Sequence, residues 1–276
     1  MALVAVSRDA GPVTGHGTDL TNDFGSQHGA AFVVGGSGGL GAAISRELAV
    51  RGSDVAVTYR KNEEAAQMLA VDISEWGRRA WTIGLDLADH EAAKAAIDSI
   101  AEAAGGVHTL VYAAGPHVPQ KHLSTIDPEV VRAQLDADAA GFFAVAHAAI
   151  PHLRESEGSI VAVTTAATRR FPVRDGLSSI PKAAVEAAIR GIAAEEGRFG
   201  VRANTVGPGM LSDGMAARLI ASGDLDERAL EAARANIPMR RFGTAADVVE
   251  AVCFLASDRA RFISGQHLDV DGGFGV

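Results

Sequence analysis

The chain has 276 residues, 47% of them hydrophobic and 21% charged, which is enough apolar material for one large core; α/β folds of this length often remain a single unit. A formal net charge of −9 argues against non-specific nucleic-acid binding, which needs a basic surface to neutralise phosphates, and equally against an anionic membrane surface. The single cysteine, Cys253, excludes an intramolecular disulfide and a thiolate metal cluster.

Cys253 lies in the apolar run Val252, Cys253, Phe254, Leu255, which predicts a core position. No apolar run approaches the ~18 residues needed to span a bilayer. The start does not read as a secretory signal, so a cytoplasmic address without membrane partners is expected.

Residues 1–29 are rich in Gly, Thr, Asp and His without sustained periodicity, and read as a flexible arm. His16, Asp19, Asp23 and His28 lack regular ligand spacing, so no metal is expected there. Alternation then begins. Short β-rich runs occur at Ala30–Val34, Asp54–Tyr59, Ala80–Leu85, Val107–Tyr112, Ser159–Thr164, Arg202–Val206 and Gln266–Val270. Ala-rich helical patterns separate them at about 39–51, 63–77, 89–104, 127–153, 177–198 and 245–256. Continuous apolar strands joined by helices predict parallel strands buried on both faces. A right-handed βαβ series then builds one doubly wound Rossmann-type α/β domain over residues 30–276, with a seven-stranded parallel sheet. The irregular stretch at 207–244 reads as a lid over a small-molecule substrate.

The first of these strands runs directly into Val34-Gly35-Gly36-Ser37-Gly38-Gly39-Leu40-Gly41 and a helix. Such a turn lets backbone approach a pyrophosphate closely. The next helix offers unpaired N–H groups and the positive end of its dipole. A lone Gly-rich turn is weak, but strand, loop and helix stand here in the required order.

Gly35, Gly39 and Gly41 match the Gly-x3-Gly-x-Gly pattern of the short-chain dehydrogenase/reductase family, with Val34 where Thr is usual. The chain also resembles that family at Ala113-Ala114-Gly115, at Asn204 through Pro208-Gly209, and at Asp269-Val270-Asp271-Gly272-Gly273. The likeness spans residues 30–276 and implies a nicotinamide dinucleotide bound by Gly35, Ser37, Gly39, Leu40, Gly41, Ala113, Ala114, Gly115, Pro208, Gly209 and Leu211. Cofactor choice turns on the end of the second strand, where an acid would hold the ribose of NAD and an Arg the 2′-phosphate of NADP. Tyr59 stands in the acid's place, followed by Arg60 and Lys61, which favours NADP(H), with NAD(H) second; against it, Gly38 stands where a second basic residue is common. Asp86 and Leu87 match the family's adenine-binding position, although Asp86 also suits a helix cap.

The catalytic positions depart from the family's Asn, Ser, Tyr and Lys. Lys182 fits the Lys, heading Ala183-Ala184-Val185. Ser178 stands where Tyr belongs, Thr165 where Ser belongs, and Asp138 where Asn belongs. A serine hydroxyl is a far weaker acid than a phenol of pKa about 10, and loss of a general acid typically costs about 10²–10⁴ in rate. The only tyrosines, Tyr59 and Tyr112, lie on the cofactor side and cannot be assigned the missing role.

Three readings stay open. The first is reduction of a conjugated enoyl or dienoyl substrate, where oxygen needs only stabilisation as an enolate; Ser-x3-Lys and the Asp138 substitution are similar to variants in 2,4-dienoyl-CoA reductases of this family. The others are a ketone or imine reductase with a substituted proton donor, and a non-catalytic cofactor-binding protein.

Asp138 reads either as a general acid raised by apolar burial or as a helix acid paired with a nearby base. Asp175 stands seven residues before Lys182, where enoyl-thioester reductases place their Tyr, or is a helix-start acid. His117 reads as a pocket-mouth or solvated loop residue. Arg169, Arg170 and Arg174 read either as a grip on a carboxylate or the phosphates of a thioester arm, or as solvated charge. The Ala-rich helices at 127–153 and 177–198 suit burial between subunits, and the family implies a homotetramer, or a dimer.

Overall fold

The structure, a computed structural model, describes residues 4–6, 22–115, 118–213 and 227–276. Along the chain come β1 (Val4–Val6), β2 (Ala30–Val34), α1 (Gly39–Val50), β3 (Asp54–Tyr59), α2 (Glu63–Glu75), β4 (Ala80–Gly84), α3 (His90–Ala104) and β5 (Val107–Tyr112). They are followed by α4 (Pro128–Gln134), α5 (Gly141–Ser156), β6 (Ser159–Val163), α6 (Gly176–Glu196), β7 (Arg202–Pro208), α7 (Glu227–Ala235), α8 (Ala245–Ala256) and β8 (His267–Val270).

Seven strands pair in parallel in the order β4-β3-β2-β5-β6-β7-β8. The period of two along each strand divides the core into two layers. Phe32, Val34, Leu110 and Tyr112 join Ile97, Ile100, Phe142, Val185 and Ile189 on one face. On the other, Val33, Val57 and Val111 join Ile44, Leu48, Leu69, Ile73 and Val252. Each large side chain so buried stabilises the fold by about 1.5–3 kcal/mol. Cys253 belongs to the second layer and is fully buried. That burial pushes its thiol up to about 12. No helix of the described residues is long and apolar enough to cross a membrane, and no cluster of three metal-ligating side chains occurs among them.

Three departures from the sequence reading have physical causes. Val4–Val6 adds an eighth strand, antiparallel to β4 at the sheet edge. Residues 22–29, read as part of a flexible arm, are anchored. Phe24 is buried and stacks on His108 at 5.9 Å. Asp23 joins Glu47 and Glu250 around the buried Arg51 guanidinium, at 3.2, 2.7 and 2.7 Å. The helix expected at 127–153 is divided: a π-turn, Leu135–Ala140, separates α4 from α5. An extra residue in the turn changes the rotational phase of the helix beyond it; here Asp138 of the turn is buried. Of the stretch 207–244, read from the sequence as a lid, 214–226 lies outside the described residues, and 227–235 forms α7.

Candidate cofactor and active site

The sheet order reverses between β3 and β5 around β2, the kind of switch point where a crevice opens at the carboxyl ends of the strands. Gly35 has φ +74°, and a Cβ there would lie 2.9 Å from Ala114 Cα in the loop after β5. A Cβ on Gly41 would lie 2.2 Å from the Gly35 carbonyl oxygen. The two loops and the start of α1 therefore touch backbone to backbone. α1 begins without a side-chain cap and without an acid in its first turn, and a Cβ on Gly39 would meet no atom within 4 Å. An uncapped helix start with open space before it suits a pyrophosphate. Thr58 supports the loop, its Oγ1 accepting from Gly35 N at 3.0 Å, and Ser37 N donates to Thr58 O at 3.3 Å.

At the end of the crevice where the adenine is expected, Tyr59 closes β3, its phenol held above its usual value by burial and by Glu63. Arg60 and Lys61 are exposed beside it. Asp86 is exposed, and its carboxylate accepts from Ala88 N at 3.1 Å. It is not the cap of α3; Asp89 is, accepting from Ala92 N. Leu87 is half-buried and packs on the core. Ala113, Ala114 and Gly115 follow β5, with the Lys182 ammonium 3.7 Å from where a Gly115 Cβ would lie. Pro208 ends β7, and Gly209 N donates to Val270 O at 2.9 Å. The Leu211 side chain is buried in the second core layer, which leaves only its backbone for a ligand.

The end of the crevice where catalytic residues are expected is built from side chains. Lys182 and Asp138 are both buried. Lys182 Nζ donates to Asp138 Oδ1 at 3.0 Å and to Ala114 O at 2.9 Å. Of the two sequence readings of Asp138, the acid paired with a base is the one found. The i, i+4 spacing in α6 puts Ser178 and Lys182 on one helix face, a single turn apart. Ser178 is half-buried, and among the described residues its hydroxyl takes no hydrogen-bond partner. Thr165 follows β6 and caps a short 3₁₀ turn, its Oγ1 accepting from Ala167 N at 3.2 Å. Its hydroxyl proton stays available for an acceptor.

Asp175 is buried at the start of α6 and accepts from Gln120 Nε2 at 2.9 Å and Ser179 Oγ at 3.3 Å; burial raises its carboxyl above the usual range. It ties α6 to the loop after β5. Arg170 and Arg174 turn to different partners, and Arg169 is exposed. Arg170 donates to Phe274 O at 2.9 Å and stacks on that ring, and Arg174 turns to His122 Nε2 at 3.2 Å. His117 lies outside the described residues.

Sequence reasoning missed two features. Tyr112, fully buried, donates to Asp138 O at 3.0 Å and to Asp138 Oδ1 at 3.1 Å. The only signal was its position at the end of a strand, on the same face as Leu110. A second polar cluster joins Thr168, Glu186, His267 and Asp269 beneath the C-terminal segment.

A family model described as enoyl-(acyl carrier protein) reductase matches residues 34–275. A versicolorin reductase of Emericella nidulans is 32% identical over 249 residues, covering 88% of this chain and 94% of that protein. A 3-oxoacyl-[acyl-carrier-protein] reductase of Staphylococcus epidermidis is 30% identical over 244 residues, covering 88% and 97%. The crystal structure of a short chain dehydrogenase from Burkholderia cenocepacia in complex with NADP superposes with a TM-score of 0.81 at 35% identity, covering 91% of this chain and 99% of that one. The chain belongs to the short-chain dehydrogenase/reductase family. It is an NAD(P)-dependent oxidoreductase.

Proposed function

We propose that this oxidoreductase uses NADP(H), with NAD(H) as second choice, to reduce a conjugated enoyl or dienoyl substrate, such as a thioester or an acidic molecule. The observation that carries the reading is the buried Lys182–Asp138 pair at 3.0 Å, with Ser178 in place of a phenol one helical turn before Lys182.

Gly35, Ser37, Gly39, Leu40 and Gly41 hold the pyrophosphate in this reading, Arg60 and Lys61 the 2′-phosphate, Asp86 and Leu87 the adenine. Lys182 reaches the nicotinamide ribose. The bound nicotinamide supplies the hydride. Conjugate reduction leaves negative charge on the substrate oxygen, which needs a donor placed in advance rather than a strong acid. The Ser178 and Thr165 hydroxyls are such donors, and the Lys182 ammonium adds charge. Asp138 keeps that ammonium in place without supplying a phenol's acidity. The proton at the carbon beside the carbonyl comes from water.

The enoyl reductase description of the matching family model supports this substrate class. A ketone or imine reductase with a substituted donor is the second reading, favoured by the 3-oxoacyl substrate in the name of the staphylococcal relative. We infer a cytoplasmic homotetramer, or a dimer, with α5 as one contact, since its Phe143 is 56% exposed.

The test is NADPH oxidation against enoyl and dienoyl thioesters, ketones and imines, in wild type and in Ser178→Tyr. Wild type should favour the conjugated substrates. Ser178→Tyr should raise ketone reduction, by up to the 10²–10⁴ that a general acid supplies, and lower conjugate reduction by crowding the pocket. A wild type that reduces simple ketones faster than any conjugated substrate would refute the reading.

A further inference from the structure

The geometry points to Tyr112 as a positioning residue that holds the Asp138 carboxylate against Lys182 and so fixes the ammonium that grips the cofactor. The inference rests on the proposed role of Lys182 at the ribose, not on which substrate is reduced.

Tyr112 is the last residue of β5, next to the loop whose Ala114 carbonyl is the second acceptor of Lys182. Its ring is packed edge-on against Phe142, with centroids 5.2 Å apart. Phenylalanine would meet that packing equally well. What the tyrosine adds is a hydroxyl in the core, which is favourable only with a partner. Its single proton is shared between two acceptors on one residue, the backbone carbonyl and the carboxylate of Asp138. Holding both fixes the π-turn and the side-chain torsion of Asp138 together.

The same oxygen, Oδ1, accepts from Tyr112 and from Lys182, and Lys182 Nζ lies 5.1 Å from the centre of the Tyr112 ring. The hydroxyl remains a donor, because burial and then Asp138 hold its titration well above the usual phenol range. Tyr112 is therefore not a relocated proton donor. Its hydroxyl is taken up by Asp138 and acts through the pair.

The experiment is a double-mutant cycle read as NADPH affinity by fluorescence titration, with melting temperature as the folding control. Tyr112→Phe should fold normally and bind NADPH about tenfold more weakly, the lower end for a hydrogen bond to a charged group. In the Asp138→Ala background the same change should alter affinity by less than about twofold, since the shared partner is gone. Asp138→Asn, nearly isosteric, supplies the cycle should the alanine variant not fold. There the loss should shrink, because a neutral amide oxygen accepts a weaker hydrogen bond. Tyr112→Phe binding that matches wild type would overturn the proposal, as would an equal loss in both Asp138 backgrounds. A Tyr112→Phe protein that fails to fold would assign the hydroxyl to stability and overturn it too. Binding is read without turnover, so failure of every conjugated substrate would refute the proposed reaction and leave this test standing.

Discussion

At the ends of β2 and β5 the candidate site is made of backbone; after β6, in the first turns of α6 and in the π-turn before α5 it is made of side chains. The first region brings Gly35, Gly41 and Ala114 into contact and presents the start of α1 to open space. Any dinucleotide pyrophosphate fits that arrangement, because N–H groups and a helix dipole read charge and not identity. The second region is a set of particular side chains: Asp138 paired with Lys182, Ser178 one helical turn before Lys182, and Thr165 after β6. Backbone recognition tolerates a change of reaction, whereas side-chain chemistry records one. In the proposed reading the cradle takes either dinucleotide, Arg60 and Lys61 choose between them, and the substrate class rests on the side chains around Lys182.

The largest effect on cofactor affinity is expected at Gly41, inside the backbone region. In Gly41→Ala the new Cβ would meet the Gly35 carbonyl at 2.2 Å, against backbone that has to shift. Overpacking of this kind costs about 1–3 kcal/mol, and the shift falls on the phosphate loop itself. NADPH affinity, measured by titration calorimetry, should fall on the order of a hundredfold, with NADH falling alike. Retained affinity would mean that the loop is not the pyrophosphate cradle.

A smaller effect separates cradle from side chain within the cofactor half. Arg60 is exposed at the end of β3, and in the proposed reading it bears on the 2′-phosphate alone. Arg60→Ala should weaken NADPH binding by about 1–3 kcal/mol, the scale of a charge-assisted hydrogen bond, and leave NADH nearly unchanged. Equal losses for both cofactors would remove Arg60 from the assignment.

The same division explains what could be read from the chain alone. The seven parallel strands were legible because each is a continuous apolar run bounded by turn residues, and β2, β3 and β5 begin and end where the sequence pattern does. The Gly35–Gly41 loop was legible because its chemistry is local: strand, glycines and helix are consecutive. Val4–Val6 was not, since three residues carry no periodicity and their partner, β4, lies far along the chain. The π-turn was hidden because Ala-rich spacing runs unbroken through 127–153, while the insertion depends on packing against α6 and Tyr112. Tyr112 and Asp138 are 26 residues apart, and no local pattern joins a strand end to a helix turn. The presence of Asp138, Ser178 and Lys182 was visible; that one oxygen of Asp138 accepts from both Lys182 and Tyr112 is a fact of three dimensions.

If the Lys182–Asp138 pair works where the family's phenol is missing, Asp138→Asn is the variant that shows it. This change is nearly isosteric, removes the charge that pairs with Lys182 and keeps one acceptor oxygen. The measurement is kcat/KM for the best conjugated substrate, with NADPH saturating. A fall of about tenfold or more is expected, the scale for a buried ammonium that loses its charged partner. An unchanged or higher kcat/KM would contradict the role given to the pair, and would make Asp138 a neutral replacement in a site that works by other means.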